Sequence, residues 1–93
     1  MNKVNYWKSE RRRARTALRN YIVNNIEELE QDYGIIVPEN IKNLSGEEFS
    51  KWIKKIENKI LEKKQQNELY DLLIDYHCAC TNVATVENGL CSL

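Results

Sequence analysis

The fold is decided by the stretch between residues 14 and 34, which reads ARTALRNYIVNNIEELEQDYG. Apolar side chains recur in it at intervals of three and four residues, the period of one buried face of an α-helix. We predict a first helix over about residues 5–33. It should end at Gly34, because glycine readily takes the left-handed conformation after a helix end, and Pro38 prevents an early restart. The apolar stripe comprises Trp7, Ala14, Leu18, Tyr21, Ile22, Ile26, Leu29 and Tyr33.

A second start signal lies at residues 45–48, where SGEE forms a capping box. In this motif Ser45 caps the helix and the side chain of Glu48 reaches back to it. We therefore predict an extended connector over residues 34–45, whose apolar side chains cover the helix pair, and a second helix over about residues 46–62. The buried positions of this helix lie within about 100° of one another around its axis. They are Phe49, Trp52, Ile53, Ile56 and Ile60.

A third apolar stripe follows a polar run and is rotated by about 140° from that of the second helix. Either the helix breaks near Asn67, which can cap a third helix, or one long helix packs different partners along its length. We favour the break, with a third helix over about residues 67–80 and a tail over 81–93, in which Asn88 and Gly89 suit a tight hairpin. The third stripe comprises Leu69, Leu72, Leu73, Tyr76 and Cys80.

The expected fold class is all-α, in a single helical domain that spans residues 1–93. We expect the first and second helices to form an antiparallel pair, with the third helix closing the core and a short C-terminal tail. No apolar run approaches the roughly 20 residues of a membrane span, and the first residues lack the apolar stretch of a signal peptide. We therefore expect a cytoplasmic protein that does not bind a membrane.

The formal net charge of zero hides a segregated pattern. Residues 1–20 carry seven positive charges and one negative charge, and residues 21–50 carry one and seven. Residues 51–69 carry six positive charges and three negative charges. Residues 70–93 carry three negative charges and no positive charge. Two basic segments thus alternate with two acidic ones, and such surface fields persist when the total cancels.

The first basic segment supplies the main candidate binding site, which we call the basic stripe. Its five cations fall within an arc of about 100° on the first helix. Guanidinium groups in a row suit the regularly spaced phosphates of RNA or DNA. The alternative is a solvated face whose cations pair with acids such as Glu27, Glu28 and Glu30. The basic stripe comprises Lys8, Arg11, Arg12, Arg15 and Arg19.

The second helix carries a further set of cations beside its apolar face, which we call the lysine row. Together with the basic stripe it would form a two-part positive surface for nucleic acid. The lysine row comprises Lys51, Lys54, Lys55 and Lys59.

Other surfaces are expected to bind a protein. The acidic residues Glu27, Glu28 and Glu30 would dock on cationic protein, and buried aromatic side chains would anchor such an interface. Tyr6 and Trp52 are the aromatic candidates. An exposed Tyr6 would also stack on unpaired bases.

The three cysteines and the single histidine contain the ligand atoms that zinc prefers. Adjacent side chains diverge by about 100° in a helix, so His77 and Cys78 can share an ion only where the helix has ended. We therefore expect reduced thiols and no metal or other cofactor, with zinc as the weaker alternative. Since no nucleophile or phosphate-loop motif appears, we also expect no enzymatic activity. The weaker zinc set is His77, Cys78, Cys80 and Cys91.

The order of elements over residues 14–60 has a familiar pattern. A basic helix ends in the pair Tyr33-Gly34, an extended stretch with Pro38 follows, and a helix with Phe49 and Trp52 packs back. This order resembles the N-terminal helical segment of the terminal proteins of small protein-primed podophages. The resemblance implies a nucleic-acid-binding helical module from a phage. Because 93 residues are too few for the priming and polymerase-binding regions of that family, the priming role is not expected here.

In size, charge segregation and lack of enzyme motifs the chain is similar in kind to small phage anti-CRISPR proteins. The expected function is a non-enzymatic inhibitor in an infected bacterial host. It would bind nucleic acid, with RNA favoured over DNA, through the basic stripe and a CRISPR effector or another defence protein through other surfaces. One alternative is a phage structural or assembly protein that forms homo-oligomers through the third helix. Another is a DNA-binding replication accessory protein.

Overall fold

The structure, a computed structural model, describes residues 3–64 and 67–87. These residues form α-helices and one short 3-10 turn, without a β-strand among them. The predicted all-α class is therefore confirmed. In chain order the elements are α1 (Lys3–Asn24), α2 (Ile26–Tyr33), the 3-10 turn (Ile41–Asn43), α3 (Gly46–Glu62) and α4 (Glu68–Glu87).

The first predicted helix is in fact two helices, which meet at Asn25. Nδ2 of Asn25 donates a hydrogen bond to the carbonyl of Tyr21 at 2.8 Å, while the backbone N–H of Asn25 turns to the carbonyl of Ile22 at 3.2 Å. The side-chain amide thus competes with regular main-chain bonding, which interrupts the helix. The apolar spacing does not reveal this break, because Ile22 and Leu29 are buried on its two sides. Ile26, which the spacing placed in the stripe, is exposed instead.

The other helix ends lie where the sequence predicts them. Gly34 follows α2 with a left-handed φ of 66°. Oγ of Ser45 accepts a hydrogen bond from the backbone N–H of Glu48 at 3.1 Å, and α3 covers the predicted residues. Oδ1 of Asn67 accepts from the backbone N–H of Tyr70 at 2.9 Å, so the break before the third predicted helix is confirmed with its cap.

The third predicted helix ends seven residues later than expected. α4 continues to Glu87, so residues 81–87, which we assigned to the tail, are helical. Ala79 and Val83 are buried one turn apart, and this burial stabilises the added turns. The hairpin expected around Asn88 and Gly89 lies outside the described residues.

The antiparallel partner of α1 is α4 rather than the second predicted helix. The start of α4 lies at the far end of the α1–α2 segment, where Nδ2 of Asn67 donates to the hydroxyl of Tyr33 at 2.8 Å. α1 and α4 lie closest together of all the helices. Small buried side chains, Ala14 on α1 and Ala79 on α4, permit this close approach.

α3 runs in the same direction as α1 and α2. Its start lies beside the middle of α1, where the guanidinium of Arg15 fills the space next to Gly46. Its end lies beside the end of α2, where Nζ of Lys59 donates to the carbonyl of Gly34 at 3.0 Å. The connector therefore crosses back over the core, and Ile35 and Val37 are buried on it, whereas Ile36, which we also expected to cover the helices, is exposed.

The core lies between α1, α3 and α4, with Phe49 fully buried at its centre. The Phe49 ring is 5.8 Å from the Tyr76 ring of α4 and 6.1 Å from the Trp52 ring, measured between centroids. No polar or charged residue is buried in the part of the chain that the structure describes. None of the helices within that part is long and apolar enough to cross a membrane.

Candidate nucleic-acid interface

The exposed surface of α1 is built from hydrogen-bonding side chains. Between residues 5 and 24 no carboxylate and no aliphatic side chain is exposed. Such a surface offers donors to phosphate and bases without repelling them. The exposed residues are Asn5, Tyr6, Lys8, Ser9, Arg12, Arg13, Thr16, Asn20 and Asn24.

The one acidic residue in the sequence of α1 is Glu10, and it is bound to an arginine outside the basic stripe. Oε2 of Glu10 accepts from Nη2 of Arg13 at 2.5 Å and from Nε at 3.1 Å. This hydrogen bond, and then the charge of Glu10, raise the pKa of Arg13 above its ordinary value. Glu10 thus neutralises Arg13, which is outside the basic stripe, and does not neutralise the arginines of the stripe.

The arginines of the basic stripe keep their charge uncompensated. Among the described residues, no carboxylate lies within 4.0 Å of the guanidinium of Arg11, Arg12 or Arg15. The Nε atom of Arg11 is buried and has no hydrogen-bond partner. Lys8, the remaining cation at the outer end of the stripe, is exposed.

The acids that offered an alternative explanation for the stripe lie on α2 instead. Glu27 and Glu30 are exposed there, and Oε2 of Glu28 accepts from the hydroxyl of Tyr21 at 3.2 Å. They form no described ion pair with the arginines of α1. Pairing with Glu27, Glu28 and Glu30 therefore does not account for the stripe.

The inner end of the stripe is fixed against α3 and the connector. Cζ of Arg19 lies 4.8 Å above the centre of the Phe49 ring, and Nη1 donates to the carbonyl of Lys42 at 3.3 Å. The guanidinium of Arg15 fills the space beside Gly46 that a side chain there would need. These contacts hold two guanidinium groups in place without carboxylates, and the exposed side chain of Lys42 adds a further cation beside them.

Two members of the lysine row of α3 are engaged by neighbouring groups of the protein. Nζ of Lys51 lies 3.5 Å from Oε1 of Glu47, and Lys59 binds the carbonyl of Gly34. Lys54 lines a groove between α3 and α4, and Lys55 is exposed. Only Lys51 and Lys59 of the four are thus bound to a neighbouring group.

The two aromatic candidates have different environments. Tyr6 is 47% exposed and its ring meets the half-buried Trp7 edge to face, with centroids 5.0 Å apart. Trp52 packs partly buried against the core beside Phe49. Tyr6 is therefore the side chain that a base or a partner could reach.

The weaker zinc set lies on an unbroken helix. His77 and Cys78 are exposed on α4, Cys80 is half-buried, and Cys91 lies outside the described residues. Since α4 continues past these positions, the helix end that a shared ion would need is absent there. Among the described residues, no three side chains are grouped as metal ligands.

His77 and Cys80 instead line the groove between α3 and α4, which contains a cavity of about 40 Å³. The hydroxyls of Ser50 and Tyr76 share a hydrogen bond beside it. Burial raises the pKa of Tyr76, while that hydrogen bond opposes the rise. The groove is mainly an apolar contact between two helices.

One feature of this surface is not evident from the charge pattern, namely the uncharged polar residues on the solvent side of α1. Ser9, Thr16 and Asn20 lie on that side together with Arg12. Their helical spacing was readable from the sequence, but their exposure required knowing which side α4 covers. Comparisons with protein-family models, curated proteins and solved structures find no match to this chain.

Proposed function

We propose that this protein is a non-enzymatic nucleic-acid-binding protein and that the basic stripe of α1 is its phosphate-binding surface. The observation that carries the proposal is the environment of Arg11, Arg12 and Arg15, which have no carboxylate partner among the described residues. A surface guanidinium that no carboxylate occupies keeps its planar set of donors for phosphate oxygens. Three such groups on neighbouring turns match a chain of phosphates.

The inner end of the stripe supports this function because it is already ordered. The contacts of Arg19 with Phe49 and with the carbonyl of Lys42 use one ring and one backbone oxygen. They restrict the side chain without neutralising its charge. Less side-chain entropy is then lost when a phosphate binds.

The rival function, assembly through the third helix, needs an uncovered apolar stripe. Leu69, Leu73 and Tyr76 of that stripe are instead buried within the chain. This burial favours nucleic-acid binding over oligomerisation through α4.

The proposal is tested by titrating the protein with fluorescent RNA and DNA oligonucleotides over a range of salt concentrations. If the stripe contacts phosphates, the logarithm of affinity falls linearly with the logarithm of salt concentration. The variant Arg11→Gln/Arg12→Gln/Arg15→Gln should lower that slope by about 2 to 3. Glutamine keeps a flexible polar side chain with a similar helix propensity at these positions, so we expect the fold to be retained.

The matched control removes the same number of cations from α3. The variant Lys51→Gln/Lys54→Gln/Lys55→Gln should keep the slope of the original protein, because the proposal assigns phosphate binding to α1 and not to α3. If the salt slope falls equally in both variants, the effect comes from the net charge of the protein and not from the basic stripe. Binding that does not depend on salt, or no binding to any oligonucleotide, would overturn the proposal.

For the biological use of such a binder we propose stoichiometric inhibition of a host CRISPR effector. The exposed acids Glu27 and Glu30 of α2 lie on a different helix from the basic stripe, so protein and nucleic acid could be held at once. A binder without turnover inhibits by occupying a surface. Titration against a purified effector should therefore reach full inhibition near one protein per complex, and full inhibition far below that ratio would contradict this use.

A further inference from the structure

Five exposed side chains follow one another along the solvent side of α1. They are four, three, four and four residues apart, which places them within an arc of about 80°. This arc lies opposite the fully buried Leu18. We call these residues the outer row: Asn5, Ser9, Arg12, Thr16 and Asn20.

The outer row is unfavourable for helix stability. Serine, threonine and asparagine are poor residues for a helix interior, where they compete for main-chain hydrogen bonds. The solvent side of α3 has the composition that is usual for an exposed helix surface, since it is rich in lysine and glutamate. Within the described residues, none of the four uncharged side chains of the outer row makes a side-chain hydrogen bond. Residues that weaken a helix and bind nothing inside the protein indicate a use outside it.

We infer that the outer row reads base edges in the major groove of duplex DNA, an inference that rests on the proposed nucleic-acid-binding function. α1 has 22 residues and is about 33 Å long. The major groove of B-form DNA admits an α-helix, whereas the corresponding groove of A-form RNA is too deep and narrow for side chains to read. A single long helix with its polar side exposed therefore suits DNA.

The side chains of the outer row match the chemistry of base edges. Arginine binds the O6 and N7 atoms of guanine with two hydrogen bonds, and asparagine binds adenine in the same way. Asn20 provides the asparagine, and Arg12, the residue that the outer row shares with the basic stripe, provides the arginine, so that Arg11 and Arg15 are left to bind phosphates. Ser9 and Thr16 are short, so they let the helix backbone approach the floor of the groove between the longer residues.

The charges beside the row orient the duplex. Lys8 and Arg15 flank it on the side of α3, where Lys42 is also exposed. On the opposite side α4 exposes Asp71 and Asp75, and Arg13 of α1, which Glu10 already binds, lies within the electrostatic influence of Asp75. The phosphate backbone that binds most strongly therefore lies on the α3 side.

The test begins with selection from a random pool of duplex DNA by the full chain, followed by affinity measurements on the selected duplex and on a scrambled one. The variant Ser9→Ala/Thr16→Ala/Asn20→Ala removes base contacts and no charge. It should reduce the preference for the selected duplex by about 10- to 100-fold and leave the salt slope unchanged. Because alanine favours the helix, the variant should also melt at or above the temperature of the original protein.

The control is Asn58→Ala, which makes the same kind of change at an exposed position of α3 and should not alter the preference. Methylation of guanine N7 in the selected duplex should block binding, since N7 lies in the major groove. Full preference in the triple alanine variant would overturn the inference. So would binding of single-stranded RNA with no enriched duplex sequence, whereas no binding to any nucleic acid would overturn the proposed function itself.

Discussion

α1 and α3 are both rich in cations, yet their surfaces are organised in opposite ways. α3 begins with the cap Ser45 and the acids Glu47 and Glu48, and it pairs Lys51 with Glu47. α1 has no acid in its first turn, and its single acid binds Arg13 outside the stripe. Acids at a helix start and pairs four residues apart stabilise helices. The surface of α3 thus serves its own stability, whereas that of α1 leaves groups available for a ligand.

The two helices meet at Phe49, and removing its ring should have the largest effect on the stability of the protein. Phe49 is fully buried, and its ring supports the guanidinium of Arg19. Phe49→Ala should lower the free energy of unfolding by about 3 to 5 kcal/mol, because it leaves a cavity in a packed core. Urea denaturation measures this loss, and Phe49→Leu serves as the milder control. If the free energy of unfolding falls by less than about 1 kcal/mol in the alanine variant, contacts other than those of Phe49 hold α1 and α3 together.

The contrast also shows what the sequence could predict. The bounds of α3 were predictable because a capping box and a regular apolar face agree. The break at Asn25 was not, because it depends on one amide side chain that replaces a backbone bond without disturbing the apolar spacing. The choice of α4 as the partner of α1 was also hidden, since it depends on how closely Ala14 and Ala79 let two helices approach.

The candidate site was partly predictable for a related reason. Helical spacing alone assembled the basic stripe, since a single helix fixes the relative directions of its own side chains. Whether the carboxylates of another helix reach those arginines depends on the tertiary arrangement, and the spacing of Glu27, Glu28 and Glu30 could not exclude it. The lysine row looked equivalent to the stripe in sequence, but contacts with Glu47 and Gly34 engage two of its members.

Ser45, which caps α3, offers a second test, because removing this cap should lower stability without changing nucleic-acid binding. Oγ of Ser45 satisfies the backbone N–H of Glu48. Ser45→Ala should lower the free energy of unfolding by about 1 kcal/mol, since it removes this cap. Thermal melting measures the change, and oligonucleotide affinity at a temperature where the variant is folded should stay the same. Weaker binding by the folded variant would show that the start of α3 belongs to the interface.

Tyr21, near the C-terminal end of α1, stabilises the fold as the surface residues of α3 do. The dependence of stability on pH should show this. Burial raises the pKa of Tyr21 from 10.0 to about 12, and the charge and hydrogen bond of Glu28 contribute to the rise. The native state therefore holds this proton more tightly than the unfolded chain does. The resulting stability is complete below about pH 10 and is lost as the pH rises toward about 12.

Replacing Tyr21 separates this titration from the rest of the protein. Tyr21→Phe should cost about 1 kcal/mol at neutral pH, where the hydrogen bond to Glu28 is lost, and should weaken the dependence of unfolding free energy on pH above about pH 10. Urea midpoints measured on both sides of that pH give the comparison. An unchanged alkaline slope in the variant would show that Tyr21 is not the group responsible.

The smallest expected effect comes from Glu10, the residue that makes α1 less basic than its arginines would allow. Glu10→Gln removes the ion pair with Arg13 and gives α1 one more uncompensated cation on the side where α4 exposes Asp75. If that side also approaches phosphate, the salt slope of oligonucleotide binding should rise by up to about 1, with a gain in affinity of roughly two- to fivefold near physiological salt. The matched change on α3, Glu47→Gln, releases Lys51 in the same way and should leave binding unchanged, because Lys51 lies on α3 and the proposed phosphate-binding surface lies on α1. Equal gains in the two variants would mean that net charge, and not the face of α1, determines the affinity. A gain confined to Glu10→Gln would extend the interface from the basic stripe across the outer row to Arg13, as a duplex lying along α1 requires.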